Sequence, residues 1–596
     1  MASGTYPIKG LPVPTGGPIP QREEITAWRN NPKNAIKVSL FIQALNIFQT
    51  MDPDDKLSYY QVAGIHGLPA QSWDTDPAPN KKKKLPINST PQFYCPHGSL
   101  IFPTWHRAYL ALFEQLLNGI MQEQILPTIA DNVVREVWAL EAQNWRMPYW
   151  DWAAPQEYIQ SCGVPEIVSQ PDINIISTGG ALQTVPNPLV QVPNFRHHRY
   201  GITNKKTPTP QEALGVENNG LVANALEIPQ WVKMEQETGK KLDPDMKGSL
   251  QDQVHRLLTQ GYFANYATFA TTEYGDNDLN PLLLPAGRLS SSSTTAFMSG
   301  PVESTLAQLH HYNVDRQLAI FQKLNPEHWL DGGSPTKDET ADGPLHPFHS
   351  DTNATLITSN LVKDITSYGY TYDNLNVPVD DLKKAINEKY GSLRKHLNKN
   401  PDLDGRTNDY LINVQYDRFA LNGKSYAVHF FLKGEIPSEP SKYRASPSHI
   451  GSIHTFSTDY WTAGNRNGVD CQNCQSQQEK GVKAKAQIPI TLELLFRAVS
   501  RDDLWSDLRN LESDHVQQYL EQHLKWVIVA VPGEVIPTEN LPGLKVVVHA
   551  GKGHHPEDTT QPSKFHSYRP MWSVTHGKTG GARHEDNVVH PDELQG

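Results

Sequence analysis

The sequence predicts a mainly α domain, built as a helix bundle, followed by a β-rich C-terminal domain. Three observations predict it. His106, Leu110, Phe113 and Leu117 recur at helical spacing, while Glu114 and Gln115 fall off that stripe. Val314, Leu318 and Phe321 give a later segment the same kind of apolar side. After about residue 405 the texture changes to short runs rich in Val, Ile, Tyr and Phe.

Taken in order, the first 50 residues mix Pro and Gly with one helix over 38–51. A helix precedes His66, with Leu57, Tyr60 and His66 as inward candidates. The helix beginning near His106 follows Tyr94-Cys95-Pro96-His97-Gly98. Met147-Pro148-Tyr149-Trp150-Asp151-Trp152 reads as an aromatic core cluster, and 155–245 as long connecting loops. A helix is expected over 380–397. Strands over 410–416 and 426–432 are joined through Asn422-Gly423, and two more lie at 527–531 and 544–549. The polar tail, with many His, Pro and Gly residues, reads as disordered. The expected boundaries are 1–400 for the helical domain, 405–552 for the β-rich domain and 553–596 for the tail.

The chain has 596 residues and a formal charge of −11, which argues against a nucleic-acid partner. Its one strong basic run, Lys81 to Lys84, reads as a solvated loop. No apolar run reaches membrane-spanning length. Four cysteines in so long a chain make no disulfide framework, and the first residues carry no signal-peptide pattern, so the expected location is cytoplasmic. The expected partner is a small-molecule substrate, with a homo-oligomer allowed.

The chain holds 24 histidines, most of which need no special role. His66, His97 and His106 differ because two helices and a loop would bring three neutral imidazoles together, a set suited to copper or zinc. In order and local sequence, their motifs resemble the first metal site of the tyrosinase and hemocyanin superfamily in its fungal form. The resemblance implies that all three are ligands of one metal. It also implies a thioether between Cys95 and His97. Tyr368, Tyr370 and Tyr372 resemble the motif that closes the family's catalytic domain. The β-rich domain resembles the one that covers the active-site entrance, with Phe456 and Tyr460 as plugging candidates. Cys471 and Cys474 resemble a pair linked to copper delivery, although two functionless thiols are the simpler reading.

The second metal site departs from the family pattern. The motif His-His-x-x-Val-Asp-Arg is present as His310 to Arg316, which implies His311 as a ligand and Asp315 as a residue that steadies that helix through hydrogen bonds. The His-x-x-x-His helix is broken. His255 matches its first member with the register one residue out of step, and Thr259 stands where the second imidazole belongs. Glu273 and Glu303 are oxygen donors that would favour zinc over a dioxygen-binding copper pair.

Three functions follow. The first is a zinc enzyme resembling the fungal cyclopenases, a redox-neutral lyase of secondary metabolism. Its reaction would convert a cyclopenin-type benzodiazepinedione to a viridicatin-type quinolone, with His311 and Glu273 moving protons. The alternatives are a copper tyrosinase or catechol oxidase acting on phenols, and an inactive binding protein.

Overall fold

Two hydrophobic cores organise the molecule. One gathers side chains from Ile8 to Tyr390, the other from Tyr410 to Val574. A smaller cluster joins Leu393 and Leu397, just after the first range, to Leu492 and Leu495 of the second half. The computed structural model describes residues 5–66, 73–74, 94–96, 98–154, 165–168, 170–189, 249–271, 273–274, 305–331, 339–398, 406–421, 425–443, 446–455, 481–499, 507–530 and 533–586.

The helices of the first core are α1 (Ile25–Asn30), α2 (Ala35–Thr50), α3 (Tyr59–Gly64), α4 (Phe102–Ile120), α5 (Asn132–Asn144), α6 (Ser249–Thr259), α7 (Tyr266–Ala270), α8 (Thr305–Leu324) and α9 (Val379–Tyr390). A short α10 (Ser392–Asn398) follows. Pro103 sits in the first turn of α4, where its missing N–H costs nothing. Almost every residue of α4 is buried, so it is the central helix, packed on α2 and α8. The single helix expected over 380–397 breaks at Gly391. A Cβ there would stand 2.4 Å from the Asn387 carbonyl oxygen.

Strands accompany the helices: β1 (Gln21–Arg22), β2 (Asp172–Ile176), β3 (Leu182–Pro186), β4 (Glu273–Tyr274), β5 (Pro344–His349), β6 (Leu356–Thr358) and β7 (Thr371–Tyr372). β2 and β3 form a hairpin where the sequence reads as loop. Ile173 and Ile175 alternate inward, and Ser39 of α2 accepts a 2.9 Å bond from the Ile176 N–H.

A buried charge cluster locks α8 against α4. Asp315 accepts from Arg22 Nη1 at 3.0 Å, Arg107 Nε at 2.5 Å, Tyr370 at 2.7 Å and Tyr372 at 2.6 Å. Burial alone would raise its pKa. Arg107 and Arg22 outweigh burial and hold the carboxyl below its ordinary value. The tyrosine motif therefore ends on the same carboxylate as the helix it encloses.

The second half is rich in sheet, as the sequence predicts. Its strands are β8 (Arg406–Tyr416), β9 (Tyr426–Leu432), β10 (His449–His454), β11 (Lys483–Pro489), β12 (Leu524–Ala530), β13 (Glu534–Ile536), β14 (Lys545–His554) and β15 (Lys564–Pro570). Two sheets form, ordered β10-β9-β12-β13 and β15-β14-β8-β11-β4. β8 and β9 follow one another but lie in different sheets, rather than pairing through Asn422-Gly423. Alternate residues of both face the second core, including Ile412 and Val414 of β8 and Val428 and Phe430 of β9. β4, from the helical half, supplies the edge of the five-stranded sheet by pairing with β11.

The polar tail expected to be disordered from 553 is structured through much of its length. β14 runs to His554, and β15 pairs with it in antiparallel register. Among the residues of β15 only Tyr568 is buried. Backbone pairing holds this strand, so apolar alternation gave no sign of it. Residues 587–596 lie outside the described residues.

Candidate metal centre

Three expected ligands, His66, His106 and His311, and one cysteine meet beside α4. His66 follows the end of α3, its backbone N–H bonded to Ala63. His106 lies in the early turns of α4. Cys95 Sγ lies 3.4 Å from His66 Nε2 and 3.4 Å from His106 Nε2. One donor atom from each of the three lies within 4.8 Å of the others. His311 of α8 stacks on His106, with ring centroids 4.2 Å apart and planes at 21°. Its centroid is 5.4 Å from that of His66.

The helix fixes the tautomer of His106. Its Nδ1 lies 2.8 Å from the Phe102 carbonyl oxygen, one turn back. A carbonyl only accepts, so Nδ1 carries the proton and Nε2 turns a lone pair toward Cys95. Burial lowers the pKa of His106 to about 3, with the Phe102 bond working the other way. Burial, and then His106, also push His66 well below its ordinary value. Both rings are therefore neutral near pH 7, the state in which imidazole binds metal. The donors fit a copper or zinc ion.

His255 does not join them. It lies on α6, and its Nε2 donates to Asn387 Oδ1 at 2.7 Å. The Asn387 amide nitrogen faces the Thr559 and Gln561 carbonyls at 2.7 and 3.3 Å, which fixes the amide oxygen toward His255. The neighbouring Arg256 pairs with Asp252 at 2.8 Å and with Asp409 of β8 at 2.7 Å. The inner side of α6 thus turns its polar groups to α9 and the C-terminal domain. Burial lowers the His255 pKa to about 4, opposed by the Asn387 bond. Thr259 gives its hydroxyl to the His255 carbonyl at 2.6 Å. Among the described residues, His255 is thus not one of the donors gathered at His66, Cys95 and His106, and its Nε2 proton is committed to an amide.

Asp315 steadies the histidine helix through its hydrogen bonds, which clamp α8 to α4. The aromatic cluster backs the same helix, with the Trp150 N–H bonded to the Leu309 carbonyl at 3.2 Å and Trp152 5.6 Å from the His310 ring. Glu273 lies in β4, and its backbone is paired with Ala484. The Glu273 side chain, His97, Glu303, Phe456, Tyr460, Cys471 and Cys474 lie outside the described residues.

Two participants escaped the sequence reading. Cys95 was assigned to His97, yet it touches the other two imidazoles. Arg22 sits in a Pro-rich stretch with no local signal. Only the question of what neutralises a buried Asp315 points to it.

A histidine and thiol cluster at the contact of two core helices, with a sheet-rich domain behind it, defines a metalloprotein of the type 3 copper fold. The chain belongs to the tyrosinase family. The common central domain of tyrosinase matches residues 56–324, and the tyrosinase C-terminal domain matches 409–548. A tyrosinase of Aspergillus fumigatus is 30% identical over 95% of this chain and 98% of its own length. Polyphenol oxidase 2 of Agaricus bisporus is 25% identical over 78% of this chain and 83% of that protein. The apo-protyrosinase of Aspergillus oryzae shares the fold, with a TM-score of 0.68 at 23% identity, covering 95% and 97% of the two chains. Among the described residues no helix is long and apolar enough to cross a membrane.

Proposed function

We propose that this chain is a metal-dependent enzyme of fungal secondary metabolism that carries out a redox-neutral rearrangement at a single metal ion. One observation carries the reading: the helix that should serve a second metal has Thr259 in place of one imidazole, and its His255 donates to Asn387 at 2.7 Å. A peroxide-bridging metal pair needs both imidazoles. The first site keeps neutral, oriented donors.

The ion is held by His66 and His106, with His97 as the third ligand expected from sequence. Zinc, when bound, supplies Lewis acidity toward a carbonyl or epoxide oxygen without a redox cycle. The Phe102 carbonyl keeps the His106 lone pair on the metal side. Phe102 and Trp105, with centroids 4.3 and 4.8 Å from His106, limit water at that ring. His311, steadied by the Asp315 clamp, lies beside the ligand ring and is assigned proton transfer at a ring nitrogen. The substrate class is the cyclopenin-type benzodiazepinedione and the product a viridicatin-type quinolone, formed by ring contraction and carbon–nitrogen cleavage.

The test is anaerobic turnover of such a substrate by zinc-loaded and metal-free protein. Product from the zinc form alone supports the reading. Equal rates, or no product from either, contradict it. The alternative is a copper oxidase of phenols, favoured by relatives named tyrosinase and polyphenol oxidase over most of the chain. Rapid oxygen uptake with catechol by copper-loaded protein would select it.

A further inference from the structure

We propose that Cys95 is itself a metal ligand, its thiolate joining His66 and His106 in one donor set. The proposal rests on reading this cluster as the metal centre, and it replaces the thioether role that the family resemblance implies for the same sulfur.

The distances fit a shared ion. A tetrahedral ion with metal–nitrogen bonds of about 2.0–2.1 Å and a metal–sulfur bond of about 2.3 Å places nitrogen and sulfur ligands about 3.5 Å apart. Cys95 Sγ lies 3.4 Å from each of two imidazole nitrogens. It is equidistant from both, as a shared ion requires.

The backbone holds the sulfur there. The Tyr94 hydroxyl accepts a 3.1 Å bond from the Trp73 N–H on one side of Cys95. On the other side the Pro96 carbonyl accepts from the Ser99 N–H at 3.2 Å. Gly98, with φ at 81°, lies inside that contact, ahead of α4. Cys95 is buried and forms no disulfide.

The chemistry follows from the donor type. Metal binding releases the thiol proton to solvent, and no electron moves. The thiolate would cancel one of the ion's two positive charges inside a buried site. In this donor set the Cys95 thiolate takes the third place that the sequence reading gave to His97; two imidazoles and a thiolate then leave a fourth position for substrate oxygen, the arrangement of a catalytic rather than a structural zinc site. A soft sulfur donor also favours zinc or copper(I) over a copper(II) pair.

X-ray absorption of the full-length zinc-loaded protein tests this. The proposal expects one sulfur neighbour at about 2.3 Å. Cys95→Ser, close in size, should show only nitrogen and oxygen neighbours. It should also bind zinc at least about tenfold more weakly, since even outer-shell partners cost that much. Cobalt-loaded protein should carry a near-ultraviolet thiolate charge-transfer band, lost in both Cys95→Ser and Cys95→Ala. After metal removal and denaturation, Cys95 should be alkylated in full. A wild-type shell without sulfur overturns the proposal while leaving the metal centre standing. A Cys95–His97 cross-linked peptide two hydrogens lighter does the same. Wild-type protein that holds no metal overturns both readings.

Discussion

His106 and His255 are both buried histidines on core helices, both with pKa values pushed down by burial, and they have opposite fates. His106 spends its proton on the carbonyl one turn back, which frees Nε2 for a metal. His255 spends its Nε2 proton on Asn387, an amide anchored by Thr559 and Gln561 of the C-terminal half. The half of the site beside α4 kept its donors. The half on α6 became part of the seam between the two cores. Burial does not make a histidine a ligand. What differs is the set of partners that the fold places around each ring.

The comparison breaks most visibly at the metal. His106→Ala or His66→Ala should weaken zinc binding by well over about tenfold, because each removes a ligand rather than an outer partner. Equilibrium dialysis checks this.

The next effect falls on the clamp behind His311. Asp315→Ala leaves Arg22 and Arg107 buried without their shared carboxylate, a change expected to cost about 3–5 kcal/mol in urea unfolding. At the seam, Arg256→Met strands Asp252 and Asp409, and a cost near about 3 kcal/mol is expected. This variant should keep its metal. Metal loss there would mean that the seam and the centre are one unit.

The smallest effect concerns His255 itself. His255→Gln should cost about 1 kcal/mol near pH 7 for the altered hydrogen bond. Its pH signature is sharper. The folded pKa of about 4 lies below the ordinary 6.5, so the unfolded chain binds the proton more readily. The neutral ring's contribution is full above pH 6.5 and is lost as pH falls toward about 4. Stability against pH should therefore be flatter across that window in the variant, with metal content unchanged.

Much of this was legible in the sequence. The apolar stripe that begins at His106 marked α4, and the His311–Asp315 motif marked α8. Local spacing carries such features. The Asn387 partner of His255 was hidden because helical phase tells only that a side chain faces inward, not which inner surface it meets. β15 was missed because a strand held by backbone pairing with β14 needs few apolar residues. The separation of β8 from β9 was hidden for a related reason: both runs are apolar enough to serve either sheet. The contacts of Cys95 depend on where α3 ends relative to α4, a tertiary fact.

Metal stoichiometry of the purified full-length chain, by inductively coupled plasma mass spectrometry after zinc or copper loading and extensive dialysis, tests the central claim most directly. One tightly held ion per chain, unchanged in His255→Ala, is the predicted result. Two ions per chain, with one lost in His255→Ala, would contradict it.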